Sequence, residues 1–591
     1  MKTSLFLTCL AGICVAALSS GSCTQENSMK CHTYEELPDP TADTLSDWSG
    51  VARGLHASFV NANIRYPRSV APEVKTEKSQ SLTGWKGEKL SAQLLLWTVE
   101  NATHVTCQFS DFESSSAVLP GGIAQARFVR YVLTDEFGNA CGAHNPDDYP
   151  PSLSADMLDT LTCFDLEAKS VRPVWLTVAV PPTAAPGAYR ATLTVSANGR
   201  KTHACDVELN VLDRLLPPPS EWKFHLDLWQ HPPAVARVRH VPLWSDAHFA
   251  ALKETMQPLA DAGQKVITAT LNKDPWNQQT YDLYADMIVW TKKTDGAWTY
   301  DYGVFDRWVE LMMETGVNRM INCYSMIPWN NEFHYTDAAS DQKTVVRASP
   351  GSEAYEALWT PFLQDFTTHL KEKGWLEKTS IAMDERSPEA MDATIKLLQR
   401  VAPELGIALA DNHKSYKRYP HIKDISVAAS ARVDPEDIAS RKADGLITSY
   451  YVCCADLFPN MFTFSDPAEA VYCAWYATAA GYDGLLRWAY NWWTENPLLD
   501  SRYIRWPAGD TYIVYPDARS SIRFERLVEG IQDAEKIRIL REEWTAMTSD
   551  DAANKLKTLN LEIEKFHTVT PSRPTGETVD HARRCLNELS K

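Results

Sequence analysis

The 591-residue chain lacks the short signatures of metal, nucleotide and serine-hydrolase chemistry. It has no Cys-x-x-Cys pair, no zinc-ligand spacing and no His-Glu-x-x-His helix, so the usual zinc sites are excluded. It has no Gly-Lys dipeptide, hence no P-loop, and neither Gly-x-Gly-x-x-Gly nor Gly-x-Ser-x-Gly. No cofactor and no metal is expected. Positive charge is short as well: 58 Lys and Arg face 76 Asp and Glu, for a formal charge of −18. Such a surface repels phosphate backbones, and nucleic acid is not an expected partner. After the first two dozen residues no run of 18 uncharged apolar residues occurs, so no later segment is expected to span a bilayer. The 13 cysteines are scattered, without the dense framework of a small stapled domain. Adjacent Cys453 and Cys454 read as two buried small residues rather than as redox chemistry.

Aromatic residues are present in number: 20 Trp, 23 Tyr and 18 Phe. Flat aromatic faces suit sugar rings, although large proteins also bury many Trp in their cores. Hydrophobic residues at 44% and charged residues at 23% are those of a folded chain. A length of 591 residues asks for two to four domains, or one large barrel with attachments.

Residues 1–22 read as a secretory signal: Lys2, an apolar run from Leu5 to Leu18, then Ser19, Ser20, Gly21 and Ser22 before Cys23. Cysteine after small residues fits a bacterial lipoprotein cleavage site, with Cys23 lipidated. Ser20 stands where such sites usually carry Leu, so ordinary cleavage remains an alternative. Both mean export, to the periplasm or outer membrane of a Gram-negative bacterium. A membrane would be touched only through that N-terminal anchor. Polar residues 23–50 then read as a tether.

From 51 to 215 the texture is strand-like, as in SAQLLLWTVE (91–100), RPVWLTVAV (172–180) and YRATLTVSA (189–197), with Pro and Gly turns between. This stretch reads as a β-sandwich. Leu-Pro-Pro-Pro at 216–219 reads as a stiff linker. Beyond it, short apolar strands alternate with amphipathic helices. Eight strands are expected at 223–229, 265–271, 319–325, 379–385, 406–412, 424–430, 446–452 and 484–490. That repeat is the pattern of a (β/α)8 TIM-type barrel over 220–545, closed by a helix at 521–544. Residues 546–591 are expected to form a C-terminal helical extension.

Barrel catalytic groups sit where strands end. Those ends carry Trp229-Gln230-His231, Asp274-Pro275-Trp276, Tyr324 with Trp329 nearby, Asp384-Glu385-Arg386, Asp411-Asn412-His413, Tyr450-Tyr451 and Tyr490-Asn491-Trp492-Trp493. Stacking faces and fork-shaped hydrogen-bond partners together suit a sugar pocket. Consecutive Asp384 and Glu385 are the sharpest element. Two close carboxylates do not both ionise easily, so one is available as an acid, and glycosidic cleavage needs an acid for the leaving oxygen. The competing reading makes Asp384 a helix cap and pairs Glu385 with Arg386. Strand seven ends in tyrosines, and the nearest carboxylate, Asp456, lies several residues on. That gap points to a nucleophile supplied by the substrate, the 2-acetamido oxygen of an N-acetylhexosamine.

The runs IAMDERSPEAM (381–391), GLLRWAYNWWTENPLLDSRYIRWPAGDTYIVYP (484–516) and SIRFERLVEGIQDAEK (521–536) resemble glycoside hydrolase family 123. The resemblance extends over about 50–545 and implies a β-sandwich ahead of a (β/α)8 barrel. The implied activity is that of an exo-acting β-N-acetylgalactosaminidase, with a glycan ending in β-linked N-acetylgalactosamine as substrate. By motif, Asp384 would orient the acetamido group and Glu385 would be the general acid/base. Tyr451, Trp492 and Trp493 are candidate pocket aromatics. Asn412, His231 and His413 are candidate contacts to substrate hydroxyls, with a structural role the alternative for each histidine. Trp506 and Asp510 lie in the same family-like segment. The rival readings are a non-catalytic glycan-binding lipoprotein and a conventional two-carboxylate retaining glycosidase.

Overall fold

The computed structural model describes residues 31–32, 34–41, 46–137, 141–570 and 574–591. The expected signal segment and Cys23 lie outside the described residues. A β-sandwich comes first. One antiparallel sheet runs, in spatial order, Leu55–Val60, Lys89–Thr98, Ser170–Ala179, Ala124–Thr134 and Ser152–Leu158. The second is centred on Gly187–Ala197 and Arg200–Leu215. Leu94, Leu96 and Val174 of the first sheet meet Leu193, Val195 and Leu209 of the second in one core. The outer face of the first sheet is covered too. Leu95 and Trp97 pack with Trp48, and Val129, Tyr131 and Trp175 pack with Ile522 from the barrel's last helix. Burial on both faces explains why 94–97 reads as an unbroken apolar run instead of alternating.

The stretch expected to be a tether differs from that reading over its described residues. Cys31 is disulfide-bonded to Cys163, Glu36 is buried against Arg130 and Arg172, and Trp48 is buried on the sandwich. Its polar composition was misleading because Glu36 finds its cations on distant strands. Burial opposes the charged form of Glu36, but the arginines and the Tyr131 amide outweigh it and hold the carboxyl down at about 2.

Eight parallel strands follow: β1 (His225–Leu228), β2 (Val266–Thr270), β3 (Met320–Tyr324), β4 (Thr379–Met383), β5 (Gly406–Asp411), β6 (Asp424–Ala428), β7 (Ile447–Tyr451) and β8 (Gly484–Arg487). Each lies within the segment expected from the sequence. Main-chain ladders join β2 through β8 in the order β2-β3-β4-β5-β6-β7-β8, and β8 pairs with β1. Gly484 permits that last pairing, since a Cβ there would meet the His225 carbonyl oxygen at 2.0 Å. Between β1 and β2 the closure is made largely by two glutamine side chains. Gln264 Oε1 accepts from the Leu228 amide (3.0 Å) and its Nε2 donates to the Val266 carbonyl (2.7 Å). Gln230 Oε1 accepts from the Thr268 amide (2.8 Å). A four-stranded sheet, Val289–Lys292, Trp298–Asp301, Glu332–Asp337 and Gln342–Arg347, is inserted after β2 and β3 and was not anticipated.

The helix after β8, Ile522–Ala546, is capped by Ser521, whose hydroxyl accepts from the Phe524 amide (3.0 Å). It is buried on nearly every side between barrel and sandwich, so its charged residues become interface partners. Arg523 pairs with Asp156 (2.9 Å), Glu525 with Lys89 (2.9 Å) and Arg127 (3.1 Å), and Lys536 with Glu88 (3.0 Å). Helices Asp550–Ile563 and Thr575–Leu589 complete the chain. Among the described residues no helix is long and apolar enough to cross a membrane.

Candidate active site

Strand periodicity places the carboxylates. On β4, Ile381 and Met383 belong to the outer core, whereas Ala382 faces the barrel interior. Asp384 shares the parity of Ala382, so its side chain enters the barrel mouth. Glu385 follows after the strand has ended and turns over the same opening. Both line a cavity of about 310 Å3 at the C-terminal end of the barrel. Trp229 from the end of β1, Ala410 from β5 and Leu486 from β8 line it at depth, and Trp329 and Trp506 stand nearer the surface.

Each carboxylate is held by neutral donors. Trp329 Nε1 donates to Asp384 Oδ2 (3.0 Å), and the Glu385 amide donates to Asp384 Oδ1 (2.9 Å). Asn412 Nδ2 donates to Glu385 Oε2 (2.8 Å), and the Tyr451 hydroxyl donates to Glu385 Oε1. Arg386 forms no ion pair with the neighbouring carboxylates among the described residues. Its Nε donates to the Ile327 carbonyl (3.0 Å), and its guanidinium lies 3.7 Å over the Trp329 ring. The following helix is capped by Ser387, not Asp384. Burial raises the Glu385 pKa, and the charges of Asp384 and Asp411 add to that, while the Tyr451 hydrogen bond and His413 pull it down. A partly buried carboxyl whose pKa is raised, beside a second carboxyl, is the arrangement expected of a general acid.

The other expected residues divide. Tyr451 lines the cavity and Asn412 reaches it through Glu385. His413 is exposed, with Nδ1 at 3.0 Å from the Asn412 carbonyl. His231 is fully buried: Nδ1 accepts from the Ala234 amide (3.2 Å) at a helix start, and Nε2 lies 3.1 Å from the Asp282 carbonyl. Burial drives its pKa down to about 3, so it stays neutral there. Trp493 is buried on the outer side, its Nε1 donating to the Val514 carbonyl (2.8 Å). Trp492 stands behind the wall, with ring centres 5.3 Å from Trp276 and 4.5 Å from Trp488, both of which line the cavity. Trp492 thus buttresses the lining without forming it. Asp510 is buried, pairing with Arg487 (2.9 Å) and accepting from Trp488 Nε1 (3.1 Å). Two three-residue groups have ligand spacing, Cys31 with His104 and Cys163, and Cys141 with Cys453 and Cys454. Each contains a disulfide, which removes the thiolates that a metal would need.

The model for the glycoside hydrolase 123 catalytic domain matches residues 229–540. The chain belongs to glycoside hydrolase family 123. The family's N-terminal domain model matches residues 59–197. A family 123 glycoside hydrolase from Clostridium perfringens, studied for glycolipid glycan hydrolysis, superposes with a TM-score of 0.81 at 26% identity, covering 91% of this chain and 98% of that one. A Bacteroides ovatus family 5 xyloglucanase reaches only 0.30 at 10% identity, over 77% of this chain and 98% of its own. A family 39 glycoside hydrolase from Bacteroides cellulosilyticus reaches 0.33 at 10% identity, over 68% and 82%. No curated protein sequence matches it. The family assignment makes the cavity that of a glycoside hydrolase.

Sequence reasoning passed over part of this family 123 cavity. Trp488 shares the inward parity of Leu486 on β8, a signal that favoured it over Trp493. Trp229, Trp276 and Trp329 were visible at strand ends, but nothing in the sequence ranked them above their neighbours. Cys141 had no signal: it lies on the sandwich and lines the cavity through a disulfide to Cys454, 313 residues away. That bond also corrects the reading of Cys453 and Cys454 as two small buried residues, since Cys454 is half of a cross-link.

Proposed function

We propose that this family 123 glycoside hydrolase is an exo-acting β-N-acetylgalactosaminidase that uses the 2-acetamido group of its substrate as nucleophile. The observation that carries the reading is that Asp384 and Glu385 are the carboxylates among the described lining residues, side by side on one strand end. A conventional pair would stand on opposite sides of the scissile bond. Asp456, the nearest carboxylate beyond β7, accepts from the Cys453 amide (2.9 Å) and does not line the cavity. The Clostridium perfringens relative, described as acting on glycolipid glycans, favours a glycan-borne substrate.

In this scheme the acetamido oxygen attacks the anomeric carbon as the glycosidic C–O bond breaks. Glu385 gives its proton to the departing oxygen. Asp384 holds the acetamido N–H and balances the positive charge of the cyclic oxazolinium. The Glu385 carboxylate then takes a proton from water, which attacks the anomeric carbon and reopens the ring. Two inversions leave the β-configuration retained. Proton NMR of the first-formed sugar tests this directly: β-anomer is expected, with inhibition by an acetamido-sugar thiazoline. An initial α-anomer rejects substrate assistance.

Export through residues 1–22, with Cys23 lipidated, is the matching proposal for location. The disulfides Cys31–Cys163 and Cys141–Cys454 support an oxidising compartment. Cys23→Ala should release active protein from membranes. A mature chain retaining Met1 rejects export.

A further inference from the structure

We propose that the sandwich domain sets specificity for the part of the glycan beyond the scissile bond, through a wall of the catalytic cavity welded by the Cys141–Cys454 disulfide. The inference rests on the exo-acting reading. The cavity closes on the buried ring of Trp229, Ala410 and Leu486, and its outer lining includes the exposed Cys141 and Trp329. A terminal sugar seated at the closed end directs its leaving group past Glu385 toward that outer lining.

Cys141 is the one described lining residue from outside the barrel. Three attachments hold its segment in place. Its sulfur is bonded to Cys454 on the loop after β7. The Gly142 amide donates to the Arg505 carbonyl (3.1 Å), and the His144 amide donates to the Ile504 carbonyl (2.8 Å). Both anchoring loops line the cavity themselves, through Cys453, Cys454 and Trp506. Sandwich segment, β7 loop and β8 loop therefore form one cross-linked piece beside the acid. Such fixing reduces the ordering cost when a second sugar binds.

The Cys453 thiol is the third member of this wall. The sulfurs of Cys141, Cys453 and Cys454 lie within 4.8 Å of one another. In a Cys454→Ser variant, Cys453 and Cys141 have the proximity to form a replacement bridge, so that single variant is a poor test. The double variant Cys141→Ala/Cys454→Ala leaves Cys453 as the one thiol of this wall and no bridge in it.

The test compares wild type and double variant on 4-nitrophenyl β-N-acetylgalactosaminide and on a disaccharide bearing β-linked N-acetylgalactosamine. The ratio of KM for the disaccharide to KM for the aryl glycoside should rise on the order of tenfold over wild type, whatever common change both substrates show. Treating folded wild type with a phosphine should reproduce the effect, and reoxidation should reverse it, which keeps the test valid should the variant fold poorly. Equal change on both substrates, or change on neither, overturns the proposal. Should wild type cleave another glycone instead, the galactosamine reading fails, and the same comparison runs on that glycone's aryl glycoside and β-linked disaccharide. Inactivity on every glycone overturns both.

Discussion

The catalytic mouth and the sandwich–barrel interface both bury carboxylates, and they treat them in opposite ways. At the interface Glu525 and Asp156 are fully buried, and burial alone would raise their pKa values. Arg127 and Lys89 for Glu525, and Arg523 and Arg65 for Asp156, outweigh it and hold both carboxyls below the ordinary range. At the mouth Glu385 is less buried, but its hydrogen-bond donors, Tyr451 and Asn412, are neutral, so its pKa moves up. Burial sets the stake, and the charge of the partner decides its direction. One region joins two domains with ion pairs; at the other, Glu385 is hydrogen-bonded by neutral donors and has no direct ion pair among the described residues.

The largest expected effect comes from emptying the mouth of its charge. Asp384→Asn and Glu385→Gln should each lower kcat by about 10²–10⁴-fold with little change in melting temperature. The Glu385→Gln loss should be greatest with poor leaving groups and smallest with nitrophenolates, which depart without a proton. Equal losses across leaving groups would remove Glu385 from the role of acid. The converse experiment is Lys536→Met at the interface, which leaves Glu88 buried without its cation. It should cost about 3–5 kcal/mol of stability, read as a lower melting temperature, while kcat of the folded fraction is retained.

Smaller effects sharpen the contrast through pH. The acid must be protonated, so kcat/KM falls on the alkaline side as pH passes the pKa of Glu385. Tyr451 donates to the ionised form and pulls that pKa down. Tyr451→Phe should therefore move the alkaline limb of the pH–rate profile to higher pH, and a downward shift would contradict the assignment. Glu36 has the opposite sign. Its pKa is lowered from 4.5 to about 2, so its contribution to stability is complete above about pH 4.5 and fades as pH falls toward about 2. The stability gap between wild type and Glu36→Gln, measured by denaturant titration, should narrow across that window.

Legibility followed the range of the forces involved. Hydrophobic alternation and strand–helix spacing are local, and the eight barrel strands fall where those patterns put them. The Asp384-Glu385 pair was legible because adjacency in sequence is adjacency in space. His231 and Trp493 looked like pocket groups because they end strands, yet a helix start and the Val514 carbonyl claim their polar atoms. Cys141 and the partners of Glu36 were invisible because each depends on chain segments far away in sequence. The inserted four-stranded sheet was missed for a related reason: its strands are short, half-exposed and split between two loops.

The glutamine seam between β1 and β2 rests mainly on side chains, with the Lys265 amide donating to the Leu226 carbonyl (3.0 Å) beside them. Elsewhere adjacent strands are held by ladders of peptide groups, which no single substitution removes. Here the amides of Leu228 and Thr268 depend on two side-chain oxygens, Gln264 Oε1 and Gln230 Oε1. Each is lost with one rotamer change, leaving a buried amide without an acceptor until the side chain returns. Trp229 stands one residue beyond β1 and lines the cavity. The expected consequence is faster hydrogen–deuterium exchange at the Leu228 and Thr268 amides than at the laddered amides of the other barrel strands, directly beneath the cavity floor.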